Sequence, residues 1–190
     1  MANAHNILTG VKAIIFTPYK STGELDTANA ETLDSIIADT VAISQEDPTT
    51  NTIDCETSDS PIIEATNLGK YTVEMSSADI KAAILTKCLG FVAGTSTEGG
   101  SGAYFAPSSY TPIYAMLEIQ MTGAEFVLPK VLLGSKIDAS SLKTNVAKGS
   151  ISGTAFDAKV KVGSATKSVT TPFLVVESES GSFPAITVEA

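Results

Sequence analysis

Apolar and polar side chains alternate along many short stretches of this chain, a pattern that is typical of strands with one buried face. The longest such stretch is residues 113–121. Its apolar face comprises Ile113, Ala115, Leu117, Ile119 and Met121, and its second face comprises Tyr114, Met116, Glu118 and Gln120. Further strands are predicted at residues 11–17, 70–75, 125–133, 151–162, 173–177 and 185–189. Turn residues separate these stretches, which predicts a mainly β, antiparallel fold, either a β-sandwich or a partly closed barrel.

Residues 40–57 are predicted to form a hairpin with one apolar and one acidic face. The two strands are expected at residues 40–46 and 52–57, with a turn that begins at Asp47-Pro48 and a further break at Asp59-Ser60-Pro61. The polar face would carry Ser44, Glu46, Asp54 and Glu56. The simplest interpretation of that face is a solvated acidic surface.

One α-helix is predicted to flank the strands, from about Ser77 to Leu89. Ser76 matches an N-cap and Asp79 follows three residues later, as in a capping box. The apolar stripe at helical spacing consists of Ile80, Ile84, Cys88 and Phe91. Gly90 follows the last turn, where a left-handed C-cap is expected. A helix with one apolar stripe must pack that stripe against the strands.

The 190 residues are expected to form a single domain. A polar N-terminal arm is predicted at residues 1–10, a Gly/Ser-rich loop at residues 94–109, and a polar loop at residues 134–145. Tyr104 and Phe105 lie within the Gly/Ser-rich loop. Two aromatic side chains in such a loop either pack back onto the domain or anchor a partner. Pro129 is expected to place its strand at a sheet edge or at a bulge.

The charge of the chain argues against nucleic-acid binding. The formal net charge is −9 and no Arg is present, whereas tight binding to phosphates needs cations. No apolar run approaches the roughly 20 residues that span a bilayer, and the first residues lack the basic segment of a secretory signal. Cys55 and Cys88 are interpreted as free thiols in a reducing compartment rather than as a disulfide.

Catalytic chemistry needs a constellation of residues that this sequence does not supply. His5 is the only histidine, and no Gly-x-Ser-x-Gly motif is present. Asp54 and Glu56 have the spacing of a carboxylate pair on one strand face, but a solvated acidic face is the favoured interpretation. The acidic residues between 46 and 59 do not follow a calcium-loop pattern. We therefore expect no enzymatic activity, no cofactor and no metal site.

The order of these features resembles that of the bacteriophage major tail tube proteins, which are related by fold to the type VI secretion tube. The resemblance rests on three segments, and it is one of layout across most of the chain. They are DTVAISQEDPTTNTIDCETSDSPI at residues 39–62, the end of the helix at Leu89-Gly90-Phe91, and YTPIYAMLEIQMTGAEFVLPKVLLG followed by ISGTAFDAKVKV.

This resemblance implies that subunits form rings, hexameric in the family, and that the rings stack into a virion tail tube assembled from protein made in the bacterial cytoplasm. The partners would be further copies of the chain, other tail proteins, and DNA that passes through without specific binding. Inner hairpins would line the lumen, which makes Ser44, Glu46, Asp54 and Glu56 the candidate lumen face. The candidate contacts between subunits or rings are the N-terminal arm and the Gly/Ser-rich loop, together with Asp47, Thr49, Asn51, Tyr104 and Phe105.

Two other classes of function remain open at this point. A monomeric β-sandwich that binds or adheres to a ligand, such as a carbohydrate, would have the same strand pattern. Sugar-binding surfaces usually present Trp or Tyr, and this chain has no Trp and five Tyr. An enzyme on a β scaffold is the third possibility, which the single histidine disfavours. Self-association would distinguish the first class from the second.

Overall fold

The fold is mainly β, as predicted, and every described strand pair is antiparallel. The computed structural model describes residues 10–33, 37, 39–55, 58–77, 86–87, 90–94, 103–109, 111–138, 148–178 and 181–189. Within those ranges the strands form one eight-stranded sheet, one three-stranded sheet and two two-stranded sheets, and no sheet closes into a barrel.

The strands are numbered in chain order. They are β1 Val11–Pro18, β2 Glu31–Leu33, β3 Ala42–Gln45, β4 Thr49–Cys55, β5 Ser58–Asn67, β6 Tyr71–Ser77, β7 Val92–Ala93, β8 Tyr104–Phe105, β9 Ile113–Met121, β10 Ala124–Asp138, β11 Lys148–Phe156, β12 Ala158–Val162, β13 Val169–Thr171, β14 Leu174–Glu177 and β15 Ile186–Glu189. A short 3-10 helix, Thr27–Asn29, precedes β2. The strand predicted at residues 113–121 is confirmed with the same bounds.

The eight-stranded sheet is the main sheet, with the order β2-β1-β9-β10-β11-β6-β3 and with β14 paired to the first part of β10. Its two central strands, β9 and β10, form a hairpin that turns at residues 122–123. Strand β1 pairs with β9 in a register that places Phe16 opposite Leu117. The three-stranded sheet has the order β13-β12-β15 and follows directly from β11.

The hydrophobic core covers one face of the main sheet. Its buried members are Ile14, Phe16, Leu33, Val73, Met75, Ala115, Leu117, Ile119, Leu128, Val131, Leu133, Ile151 and Ala155. Phe173 packs against this cluster, where its ring stacks on Tyr71 at 5.2 Å and meets Phe126 edge to face at 5.7 Å. We refer to this side as the core face and to the opposite side of the sheet as the second face.

Pro129 lies at a bulge in β10, as its lack of a backbone N–H predicts. The register between β9 and β10 shifts between Leu128 and Val131, on either side of this residue. The Tyr19 hydroxyl donates a hydrogen bond of 2.8 Å to the Pro129 carbonyl, and burial raises the pKa of Tyr19 to about 12. The Pro129 carbonyl therefore keeps a hydrogen-bond partner, although the bulge takes this residue out of the ladder.

The predicted start of the helix is wrong. Ser76 and Ser77 belong to β6, where they lie opposite Ser150 and Gly149 of β11. Residues 78–85 and 88–89 lie outside the described residues, so most of the predicted helix is not tested. Thr86 and Lys87 have π-helical backbone geometry, and Gly90 has the left-handed φ of 69° that a C-cap requires.

The predicted hairpin between residues 40–46 and 52–57 is also wrong. Strand β3 pairs with β6, so that Ile43 lies opposite Val73 and packs against the core. Strand β4 pairs instead with β5, and Pro61 lies inside β5 rather than at a break. The pairing of β3 with β6 is explained by the contact of Ile43 with the core, because this register places Ile43 beside the apolar Val73. Pro61 is tolerated because β5 has its only described neighbour on one side.

Two further expectations are corrected. The polar loop predicted from residue 134 begins later, because β10 continues to Asp138 and its backbone stays hydrogen-bonded to β11. The single strand predicted at residues 151–162 is divided at Asp157, where the chain passes from the main sheet to the three-stranded sheet. Phe156 is consequently exposed, whereas Val160 is buried.

Thr40 fixes the start of β3 against β6, which gives a first prediction. Its hydroxyl donates to the Ile37 carbonyl at 2.7 Å and accepts from the Ser76 backbone N–H at 3.1 Å. The substitution Thr40→Val keeps the shape and removes both bonds, so we expect it to lower the free energy of unfolding by about 1–3 kcal/mol. Urea denaturation measures this change.

Thr50→Val is the matched control, since the Thr50 hydroxyl meets Thr66 on an exposed surface at 3.1 Å. We expect its effect to stay within about 0.5 kcal/mol. Equal losses for the two variants would show that the Thr40 bonds do not hold β3 in place.

Candidate assembly surface

The β4–β5 hairpin is inserted between two strands that are themselves paired. Strand β3 ends at Gln45 opposite Tyr71, the first residue of β6, and the Glu46 N–H donates to the Lys70 carbonyl at 3.0 Å. Residues 49–67 between them form the hairpin, whose register runs from Thr49 opposite Asn67 to Ile53 opposite Ile63. The hairpin therefore leaves the main sheet at the edge formed by β3.

Gly69 lets the two sides of the hairpin base approach each other. A Cβ atom at this position would overlap the backbone carbonyl of Glu46. Only glycine allows such an approach of two backbones. The local sequence Leu68-Gly69-Lys70 thus sets where the hairpin begins.

The four candidate lumen residues do not share one strand pair. Ser44 lies on β3 and is exposed, and Glu46 is exposed just beyond the end of that strand. Asp54 lies in β4 at a bulge between Ile53 and Cys55, in a different sheet. Glu56 lies outside the described residues. The structure therefore places Ser44 and Glu46 at the base of the hairpin and Asp54 near its turn.

The candidate contact residues of this region are all exposed. Asp47 belongs to the connection between β3 and β4, and Thr49 and Asn51 belong to β4 rather than to the predicted turn. At the far end of the hairpin base, Leu68 is 80% exposed.

Tyr104 and Phe105 form a small ladder instead of an irregular loop. Strand β8 pairs with β7, which places Phe105 opposite Val92 and Tyr104 opposite Ala93. Phe105 is 49% exposed and Val92 is 62% exposed, whereas Tyr104 is half-buried. The ladder thus presents an apolar pair to solvent, and we call it the β7–β8 ribbon. The eight residues 95–102 of the predicted loop lie outside the described ranges.

A groove of about 400 Å³ opens beside the base of the β4–β5 hairpin. Its lining includes Leu68, Lys70, Tyr71, Phe156, Asp157 and Phe173. The aromatic rings supply flat apolar walls, and Lys70 and Asp157 supply one charge of each sign. Such a lining can hold a planar or apolar group with polar edges.

The described part of the chain contains no cluster of metal-ligating side chains. No group of three His, Cys, Asp or Glu side chains there could hold a metal ion. No described helical segment is long and apolar enough to cross a membrane. Cys55 lies in β4, and Cys88 lies outside the described residues, so their relation is not tested.

Sequence reasoning missed one polar group on the second face of the central hairpin. Glu118 and Gln120 of β9 lie beside Glu125 of β10 in the observed register. The alternation of side chains along β9 predicts that Glu118 and Gln120 share one face, but it does not identify β10 as the neighbouring strand. The sequence feature that could have indicated this group is Glu125, an acidic residue directly before the apolar residues 126–129.

Comparison with known proteins gives no family. No protein-family model matches the chain, and no curated protein matches it.

Gly69→Ala should detach the hairpin from its base without unfolding the core. The added methyl group forces Glu46 and Gly69 apart and breaks the bond from the Glu46 N–H to the Lys70 carbonyl. We expect faster amide hydrogen exchange at residues 44–50 and 66–71, with exchange in β9 unchanged.

The matched control is Gly134→Ala, where a new Cβ would lie at an ordinary distance of 3.6 Å from the Ser152 hydroxyl. This variant should exchange like the parent protein. If Gly69→Ala left the exchange of residues 44–50 unchanged, the close approach at the hairpin base would not be what holds it.

Proposed function

We propose that this chain is a structural subunit of a bacteriophage tail tube. Copies of it would form rings, hexameric as in the family it resembles, and the rings would stack into a conduit for DNA. The resemblance of layout stated above motivates this proposal. The observation that carries it is the β4–β5 hairpin, whose strands pair with no other described strand.

An isolated two-stranded hairpin is marginally stable in water. The described side chains at the hairpin base are exposed and polar, among them Thr49, Thr50, Asn51, Thr66 and Asn67. Each hairpin strand also has an outer edge with unpaired backbone groups, which can pair with a strand from another chain. Neighbouring subunits in a ring would supply such strands and remove the edges.

The two edges of the main sheet differ, which also supports assembly on the β3 side. Strand β2 has three residues, and the salt bridge from Lys87 Nζ to Glu31 Oε1 at 2.6 Å lies on it. Strand β3 carries Ala42, Ser44 and Gln45 as exposed, uncharged side chains. Charges and short length protect an edge from pairing, and β3 lacks the charges. The hairpin begins at this same edge.

The acidic composition fits a conduit for DNA. The chain has 21 acidic residues against 12 lysines, and a wall that repels phosphate weakly would let DNA pass without binding. In this proposal Glu46, Asp54 and Glu56 face the lumen at different heights along the hairpin. Asp47, Thr49 and Asn51 contact neighbouring subunits, and the β7–β8 ribbon contacts the next ring.

Negative-stain electron microscopy and sedimentation of concentrated protein test the proposal. We expect rings or tubes with a central hole from the parent chain. Phe105→Ser should give rings that stack into shorter tubes, because it removes half of the exposed apolar pair on the β7–β8 ribbon. Val169→Ser is the control, since Val169 is also an exposed apolar residue, at 63%, but lies on the three-stranded sheet. If Phe105→Ser forms tubes of normal length, the β7–β8 ribbon does not take part in the stacking of rings.

Reversing the charge of the candidate lumen face gives a separate prediction. Virions assembled with Glu46→Lys, Asp54→Lys and Glu56→Lys should form tails but eject DNA more slowly, since lysines attract phosphate. Glu24, Glu74 and Glu177 are exposed and lie outside the hairpin, so the variant Glu24→Lys, Glu74→Lys and Glu177→Lys is a control with the same change in overall charge. A normal ejection rate from intact tails that carry Lys at 46, 54 and 56 would show that these residues do not line the lumen.

A monomeric binding module is the second candidate, and the aromatic groove favours it. Glycan rings stack on aromatic faces and bond to nearby polar groups, and the groove offers Tyr71, Phe156, Lys70 and Asp157. If the chain sediments as a monomer at every concentration and binds a glycan on an array, this function replaces the tube. Phe156→Ala should then abolish binding, because Phe156 forms one wall of the groove.

A further inference from the structure

Three polar side chains come together on the second face of the central hairpin. Gln120 of β9 lies directly opposite Glu125 of β10, and Glu118 lies opposite Val127. Glu118 and Glu125 are therefore diagonal neighbours on one face, a spacing at which side chains on adjacent strands interact. This group is separate from the β4–β5 hairpin and from the β7–β8 ribbon.

The surroundings of the two carboxyl groups are apolar. Glu125 is 1% exposed, and its neighbours across the strands include Val176 of β14. Glu118 is half-buried and lies between Ile15 of β1 and Val127, which is fully buried. The Gln120 side-chain Nε2 donates to Glu125 Oε1 at 3.0 Å.

No described cation balances these carboxyl groups. On β1 the residues opposite this part of β9 are Ala13, Ile15 and Thr17, and Lys12 is exposed in the bulge where β1 leaves the register. On β14 the next charged residue, Glu177, is exposed. The ion pairs found among the described residues are Lys87 with Glu31 and Lys161 with Glu189, and neither includes this group.

Burial without a cation disfavours the charged form of a carboxyl group. Burial, with a smaller contribution from the charge of Glu125, raises the pKa of Glu118 to about 7. Burial also raises the pKa of Glu125, and the hydrogen bond from Gln120 opposes that shift. Two carboxyl groups this close lose their protons in steps that belong to the pair.

We propose that Glu118 and Glu125 form a proton-binding pair, in which the folded chain keeps up to about neutral pH a proton that the unfolded chain has already lost at lower pH. The fold thereby contains a pH-sensitive element at the centre of its main sheet. In the unfolded chain these groups return to an ordinary pKa of about 4.5. The folded state therefore binds more protons between about pH 4.5 and pH 7, so its stability falls as the pH rises through that window.

Equilibrium unfolding in urea at pH 5.5 and pH 8 tests this proposal on the parent chain and on Glu118→Gln. We expect the unfolding equilibrium constant of the parent to rise about thirtyfold more between the two pH values than that of Glu118→Gln, which cannot ionise. Glu74→Gln, on an exposed position of β6, should follow the parent. Groups that titrate in all three proteins contribute equally to each pH dependence, so their contribution cancels when the proteins are compared.

A carbon-13 NMR titration of the glutamate carboxyl groups in the parent protein provides a second measurement that needs no variant. We expect one resonance with a midpoint near pH 7. If all glutamate resonances titrate below pH 5.5, the proposal is overturned. It is equally overturned if the parent and Glu118→Gln respond to pH in parallel. Should Glu118→Gln fail to fold, the NMR titration decides alone.

Discussion

Strand β10 must keep its backbone hydrogen-bonded over fifteen residues while its neighbours change along its length. On one edge it pairs with β9 from Glu125 to Leu133, and on the other edge it pairs first with β14 and then with β11. Pro129 lies where one neighbour gives way to the other, and it cannot donate to either ladder. The bulge there resolves the conflict, because it takes a residue without an N–H out of the ladder and leaves its carbonyl to Tyr19. The order of the other strands depends on this arrangement.

The candidate assembly surface lies at the β3 edge of the same sheet. Strand β10 pairs with β11, β11 pairs with β6, and β6 pairs with β3, so three successive ladders position the edge strand relative to β10. Thr40 holds one end of β3 and the contact between Gly69 and Glu46 holds the other. A rigid edge with an inserted hairpin is a suitable base for contacts between subunits, because its backbone groups are already arranged in a line.

The sequence predicts elements better than it predicts their partners. The alternation at residues 113–121 identifies β9 with its correct bounds because the core takes every second side chain. The partner of β3 could not be predicted in this way, since Val73 is thirty residues from Ile43 and the nearer run at residues 52–57 has a similar pattern. Ser76 has the features of an N-cap, yet the ladder with Ser150 keeps it in a strand. Tertiary pairing overrides local preference in both cases.

The pairing of β1 with β9 has a consequence for synthesis of the chain. Phe16 and Leu117 lie side by side in the sheet although about a hundred residues separate them in sequence. A ribosome makes the chain from the N-terminus, so β1 emerges and waits without its main partner until β9 has been made. Its sequence, VKAIIFTP, combines high β propensity with little charge, which is the composition of segments that aggregate when exposed. Exposure of this strand during that interval therefore makes the growing chain prone to aggregation before the main sheet is complete.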